Sequence, residues 1–202
     1  MNSESLACGS GSGCSRTWWL AGISCVLALV GTLGSLYLSL GMGLKACPLC
    51  FYQRCFMMIV LVIMGLGMYV DRSRPGLLGL LSVPVAWAGL GVAGFHEYLV
   101  LKGMLECPLA LLGMGTAPAQ SLMVFSILTC SVTATAWLGR GEACRQSKVA
   151  VAIGVVIGLA MAWACIASSP PLPPVPTSAY DPVKQPLDMC RPPFREVISP
   201  GP

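Results

Sequence analysis

Two cysteines separated by two residues, Cys47-Pro48-Leu49-Cys50, are followed at once by Phe51-Tyr52-Gln53-Arg54 and an apolar run to Val70. Thiols at that spacing can close a small-ring disulfide, and Pro48 suits the first turn of a helix. The stretch reads as a redox pair capping a helix long and apolar enough to be a membrane span. Backbone N–H groups and the positive end of the helix dipole favour a thiolate there, and the thiolate is the species that attacks disulfides. Arg54, one turn on from Cys50, adds a full positive charge on the same side. A structural zinc site normally needs four ligands, often as two such pairs. A purely structural disulfide across so short a loop stabilises little. Redox catalysis is the use that remains.

The elements that position this pair follow from composition. Of 202 residues, 55% are hydrophobic and only 10% charged, with mean hydropathy +0.77, against about 25% charged in an ordinary soluble domain. No run sustains the period-two alternation of a barrel strand, so the expectation is an all-α polytopic membrane protein surrounded by lipid. Spans are expected at residues 18–40, 50–70, 77–95, 121–138 and 149–167. Residues 1–17 are polar and rich in Gly and Ser and read as disordered. Trp18 and Trp19 suit the membrane interface, and Pro84 in the third span is tolerable with a kink. Residues 105–114 are too short to span and read as a partial interfacial helix. Residues 168–202 form a stiff tail rich in proline. A cleaved signal peptide is a weaker reading of the first span, whose apolar run exceeds a typical h-region with no clean cleavage site after it. Leu44-Lys45-Ala46-Cys47 faintly resembles a lipoprotein box, but Lys45 is out of place there. The net charge of +4 is scattered and gives no nucleic-acid surface.

Arg16, Arg72, Arg74, Arg140, Arg145 and Lys148 flank one side of the membrane, against Lys45, Arg54 and Lys102 near the other. The richer side is expected to be cytoplasmic, with the N-terminus inside. Five spans then place Cys47, Cys50, Cys107 and Cys190 outside, in the oxidising compartment. Of the other seven of the 11 cysteines, Cys25, Cys55, Cys130 and Cys165 fall within spans and read as small apolar packing residues. Cys8, Cys14 and Cys144 read as reduced thiols inside. Cys107 and Cys190 are the outward thiols left over, and their pairing is a hypothesis on that ground.

The run from Cys47 to Arg54 resembles the Cys-x-x-Cys-x-Tyr-x-Arg signature that opens the second span in the DsbB family of disulfide-generating membrane proteins and its BdbC-type relatives. The resemblance covers the motif and the first four spans with their loops, about two-thirds of the chain. It implies a four-helix bundle in the bacterial cytoplasmic membrane, here with a fifth transmembrane helix, and a quinone (ubiquinone or menaquinone) bound near the outer end. Electrons would flow from a soluble DsbA-like thioredoxin-fold oxidase through two disulfides to that quinone. By position, Cys50 would face the quinone, Cys47 would exchange with the second disulfide, and Arg54 would favour negative charge on the quinone side. His96 and Glu97 resemble the polar residues that the family carries at the outer end of the third span, and are candidates for the quinone site and for proton uptake.

The chain departs from the family in the second pair. Members usually keep both cysteines between the third and fourth spans, whereas that loop here offers Cys107 alone. Its partner would be Cys190, on a tail delivered by the fifth span, and either cysteine could be the one attacked by the partner protein. Reoxidising a partner poised near about −120 mV needs an acceptor more oxidising than a glutathione pool at about −180 to −210 mV. A membrane quinone supplies that pull. Two other readings stand beside this one. Vitamin K epoxide reductase-like enzymes share the bundle, the cysteine pair and the quinone, although Tyr52 and Arg54 favour the DsbB side. A copper-binding membrane protein could use Met57, Met58, Met64 and Met68 as soft ligands, although methionine in apolar helices usually packs.

Overall fold

The computed structural model of the protein describes residues 12–71, 74–113, 115–139, 148–181 and 183–194. Cys8, Cys144, Arg72, Arg140 and Arg145 lie outside the described residues, as does the side chain of Cys14. The order is α1 (Ser12–Leu40), α2 (Pro48–Val70), α3 (Pro75–Leu101), a short 3-10 turn (Leu111–Gly113), α4 (Ala117–Leu138) and α5 (Lys148–Ser168). All five α-helices are long and apolar enough to cross a membrane. Among the described residues there is no strand, only two isolated bridges, so the chain is an all-α, multi-pass membrane protein.

Helix starts follow from local chemistry. At α2, Cys47 is the extended N-cap, its sulfur accepts the Cys50 backbone N–H at 3.3 Å, and Pro48 takes the first helical position. At α4, Thr116 caps through its hydroxyl to the Ala119 N–H, with Pro118 in the first turn. Helix α3 runs six residues past the expected 95 and stops at Gly103, whose φ of 64° is a left-handed closure suited to glycine. That extra turn and a half contains His96 and Glu97, so both belong to the helix and not to the following loop.

Helix α3 is the central element. Its glycines let neighbours approach: a Cβ at Gly79 would lie 2.6 Å from the Ala136 backbone nitrogen of α4, and Gly89 lies under the Phe125 ring. On another face, a Cβ at Gly158 of α5 would sit 2.5 Å from the Pro84 carbonyl oxygen and 2.8 Å from the Trp87 Cβ. Gly154, Gly158 and Ala162 recur every four residues along the buried stripe of α5, the small-residue spacing by which membrane helices pack closely. The fifth helix is therefore seated on α3 and is not a loose anchor. Large apolar side chains such as Val26, Val30, Val62, Leu66, Ile153 and Val156 face outward, as a lipid-facing surface requires.

Of residues 105–114, expected as a partial interfacial helix, the described ones form only the one 3-10 turn. Pro108 removes a donor, and Gly113 and Gly115 adopt left-handed φ values of 68° and 75°. The segment folds inward instead, burying Leu105, Cys107 and Ala110. Backbone bonds from Ala110 to Gly115 and from Ala117 to Pro108 pin it.

Candidate redox site

The α1–α2 connection, the α3–α4 loop and the tail meet at one end of the bundle. The tail is held there at several points. Glu106 and Arg191 exchange two backbone hydrogen bonds at 2.8 and 3.0 Å, and their side chains form a half-buried ion pair at 2.7 Å. The Arg191 guanidinium also lies 3.6 Å from the centre of the Tyr180 ring, whose hydroxyl donates to the Pro192 carbonyl. Lys45 donates its backbone N–H to the Asp188 carbonyl and pairs with the Asp188 carboxylate at 2.7 Å, holding that carboxyl below its usual range. Between these anchors Cys190 reaches Cys107, and the two are joined by a disulfide across a sequence separation of 83.

The first cysteine pair lies against the second. Cys47 and Cys50 are thiols with sulfurs 3.0 Å apart, within reach of disulfide closure. The sulfurs of Cys47, Cys50 and Cys190 and a ring nitrogen of His96 all lie within 4.8 Å of one another. His96 is fully buried at the centre: Nε2 is 3.8 Å from the Cys47 sulfur and 3.7 Å from the Cys107 sulfur, and Nδ1 is 3.9 Å from the Cys50 sulfur. Thus α2 supplies one pair, the loop and tail supply the other, and α3 supplies the imidazole between them.

Electrostatics separate the two thiols of the first pair. A hydrogen bond from Cys50, with lesser contributions from His96 and the Cys50 backbone N–H, outweighs burial and holds the Cys47 thiol down at about 4, from an ordinary 9.0. Cys47 is therefore the thiolate of the pair at neutral pH. By exposed surface it is also the more enclosed of the two; its sulfur lies within 4.8 Å of the Cys190 sulfur, and it does not line the cavity described next.

Cys50 opens onto a mostly apolar cavity of about 210 Å³ between α1, α2 and α4. Its walls include Gly34, Ser35, Met57, Phe125 and Cys190, with Arg54 and Gln53 as polar points. Arg54 is held by α1: Nε donates to the Ser35 hydroxyl at 2.9 Å, and Nη2 donates to the Ser35 carbonyl at 3.0 Å and the Ser39 hydroxyl at 2.6 Å. A flat apolar ring with polar edges suits such walls, and Arg54 and Gln53 are the residues that could hold those edges. Thiophilic metal ions accept the same donor types as the sulfur and imidazole cluster, but Cys190 is committed to its disulfide. Met57 and Met64 are buried in the core, and Met58 and Met68 are partly buried.

Of the residues singled out from sequence, Cys47, Cys50, Cys107, Cys190 and His96 converge, and Arg54 joins them through the cavity. His96 and Glu97 do not line that cavity. Glu97 is half-buried on a different face of α3, and its Oε2 has no hydrogen-bond partner among the described residues. Cys25, Cys55 and Cys165 are partly buried, whereas Cys130 is exposed on α4 and not packed inward. Sequence reasoning passed over Gln53 and Ser121, although Gln53 lies inside the motif. Ser121 Oγ donates to Gln53 Oε1 at 2.7 Å, and Gln53 Nε2 lies 3.4 Å from His96 Nδ1. A polar residue one turn from Cys50, in an otherwise apolar helix, was the available signal for Gln53; Ser121 had none.

Comparison with known proteins gives a consistent result. The family model described as "Disulfide bond formation protein DsbB" matches residues 15–169. The chain is 41% identical over 81 residues to "Disulfide bond formation protein B 1" of Pseudomonas fluorescens strain Pf-5, covering 39% of this chain and 46% of the relative. It is 39% identical over 72 residues to "Probable disulfide formation protein" of Deinococcus radiodurans, covering 36% of this chain and 45% of that one. The matched stretch thus spans about half the length of these curated relatives. No solved structure gives a significant match.

Proposed function

The chain belongs to the DsbB family, and from that membership we propose that it is a protein-disulfide:quinone oxidoreductase of the bacterial cytoplasmic membrane. It reoxidises a DsbA-like thioredoxin-fold oxidase and passes the electrons to ubiquinone or menaquinone. Its N-terminus is cytoplasmic, and its four site cysteines face the outer compartment. The observation that carries this reading is the meeting of two cysteine pairs around His96, with one member, Cys50, opening onto an apolar cavity beside Arg54.

The reaction runs through this chain's residues in a fixed order. A partner thiolate attacks the Cys107–Cys190 disulfide, forming a mixed disulfide, and the partner's second thiol then displaces it, leaving the partner oxidised and both cysteines as thiols. A thiolate of that pair attacks an oxidised Cys47–Cys50 pair, and Cys190 is the sulfur placed for it, within 4.8 Å of Cys47. Attack at Cys47 breaks the Cys47–Cys50 bond and releases Cys50; Cys107 then attacks Cys190, which re-forms the second pair and releases Cys47, whose hydrogen bonds make it a good leaving thiolate. A quinone bound in the cavity would supply a two-electron, two-proton acceptor beside Cys50. Arg54 holds positive charge in the cavity wall that Cys50 shares.

The test is quinone reduction by the purified protein. Turnover is expected only when a reduced thioredoxin-fold oxidase is supplied, with quinone retained through purification. Stoichiometric copper together with no quinone reduction would overturn the reading in favour of a metal-binding protein.

A further inference from the structure

The single histidine of this chain is held by a relay that runs from one helix to another. Ser121 on α4 donates to Gln53 Oε1 on α2 at 2.7 Å, which turns the amide NH2 toward His96 Nδ1 on α3, at 3.4 Å. A ring nitrogen that receives an amide N–H cannot also carry a proton, so the proton of the neutral imidazole sits on Nε2. That nitrogen faces sulfurs of both pairs, Cys47 at 3.8 Å and Cys107 at 3.7 Å. The reversed arrangement would turn the amide oxygen to Nδ1–H and aim a bare Nε2 lone pair at the Cys47 thiolate. Two concentrations of negative charge would then oppose each other at a buried position, with His96 fully buried and Gln53 only 5% exposed.

We propose that Ser121 and Gln53 are positioning residues that fix His96 as the Nε2–H tautomer, so that one N–H serves whichever of Cys47 and Cys107 carries the thiolate. The inference takes its functional meaning from the two-disulfide reading, but the tautomer is measurable without it. Hydrogen bonds to charged groups contribute about 1.5–3 kcal/mol, and loss of this one is expected to slow exchange between the pairs about tenfold or more.

Because the chain has one histidine, nitrogen-15 labelling of histidine in the full-length protein gives a single imidazole, and NMR reports which nitrogen carries the proton. Wild-type protein is expected to show protonated Nε2 and bare Nδ1. Gln53→Glu puts an acceptor against Nδ1 and is expected to protonate it. Ser121→Ala frees the amide to turn and is expected to bring in a second tautomer. Wild-type protein protonated at Nδ1, alone or together with Nε2, would overturn the proposal, as would Gln53→Glu leaving the ring unchanged. A switched tautomer with exchange at the wild-type rate would overturn the positioning role. Absent quinone reduction with the expected tautomer would count against the oxidoreductase reading and not against the relay.

Discussion

The reactivity of the site rests on which sulfur carries charge. Cys47 is held down at about 4, first by the hydrogen bond from Cys50. Once the protein is reduced, its alkylation by a small reagent, followed by peptide mass spectrometry, is expected to change little between about pH 6 and about pH 8. An ordinary thiol titrating near 9.0 becomes about a hundredfold more reactive over the same interval. The sign for stability follows from the depressed folded-state value. The Cys47 thiolate's contribution to the reduced form is complete above about 9.0, diminishes below it, and is lost as pH falls through about 4. Arg54 acts on the other side. Its three hydrogen bonds to Ser35 and Ser39 fix a charge in the cavity wall. Arg54→Met is expected to raise the quinone KM about tenfold or more, the loss of a charged hydrogen bond of about 1.5–3 kcal/mol, while exchange between the cysteine pairs survives. Steady-state kinetics against quinone and single-turnover exchange separate the two.

At the level of elements, α3 positions the histidine, and α5 delivers the tail. Gly158 is where α5 comes closest to α3, and a larger side chain there meets a backbone carbonyl and the Trp87 Cβ. Gly158→Leu is expected to destabilise the protein by about 1–3 kcal/mol and to lower the fraction with Cys107 joined to Cys190. Thermal unfolding in detergent and alkylation mass analysis read the two effects. The five spans were legible because about 20 apolar residues in a row have few other uses. Their ends were less so: α3 continues to Leu101 because its stop is Gly103 and not the polar pair His96-Glu97. The seam between α3 and α5 was not legible, because Gly and Ala in an apolar helix look alike whether they face protein or lipid. The same holds for the fold of residues 105–114, which is set by two left-handed glycines and by the tail that packs against it.

Taken whole, the molecule closes its site with a segment remote in sequence. Cys107 and Cys190 could be proposed as partners from the count of outward thiols, but the ion pairs that bring them together could not. Glu106 with Arg191, and Lys45 with Asp188, are opposite charges on segments that nothing in the sequence marks as neighbours. The cavity was legible only as the expectation of a quinone, since its walls come from three helices, two connecting segments and the tail. The two-pair relay is tested most directly by Cys50→Ser, which leaves Cys47 without its own partner, next to Cys190. Cys47 is expected to attack the second disulfide, and peptide mapping is expected to find Cys47 joined to Cys190, with Cys107 released as a free thiol. Cys47 recovered as a free thiol, with the Cys107–Cys190 disulfide intact, would contradict it.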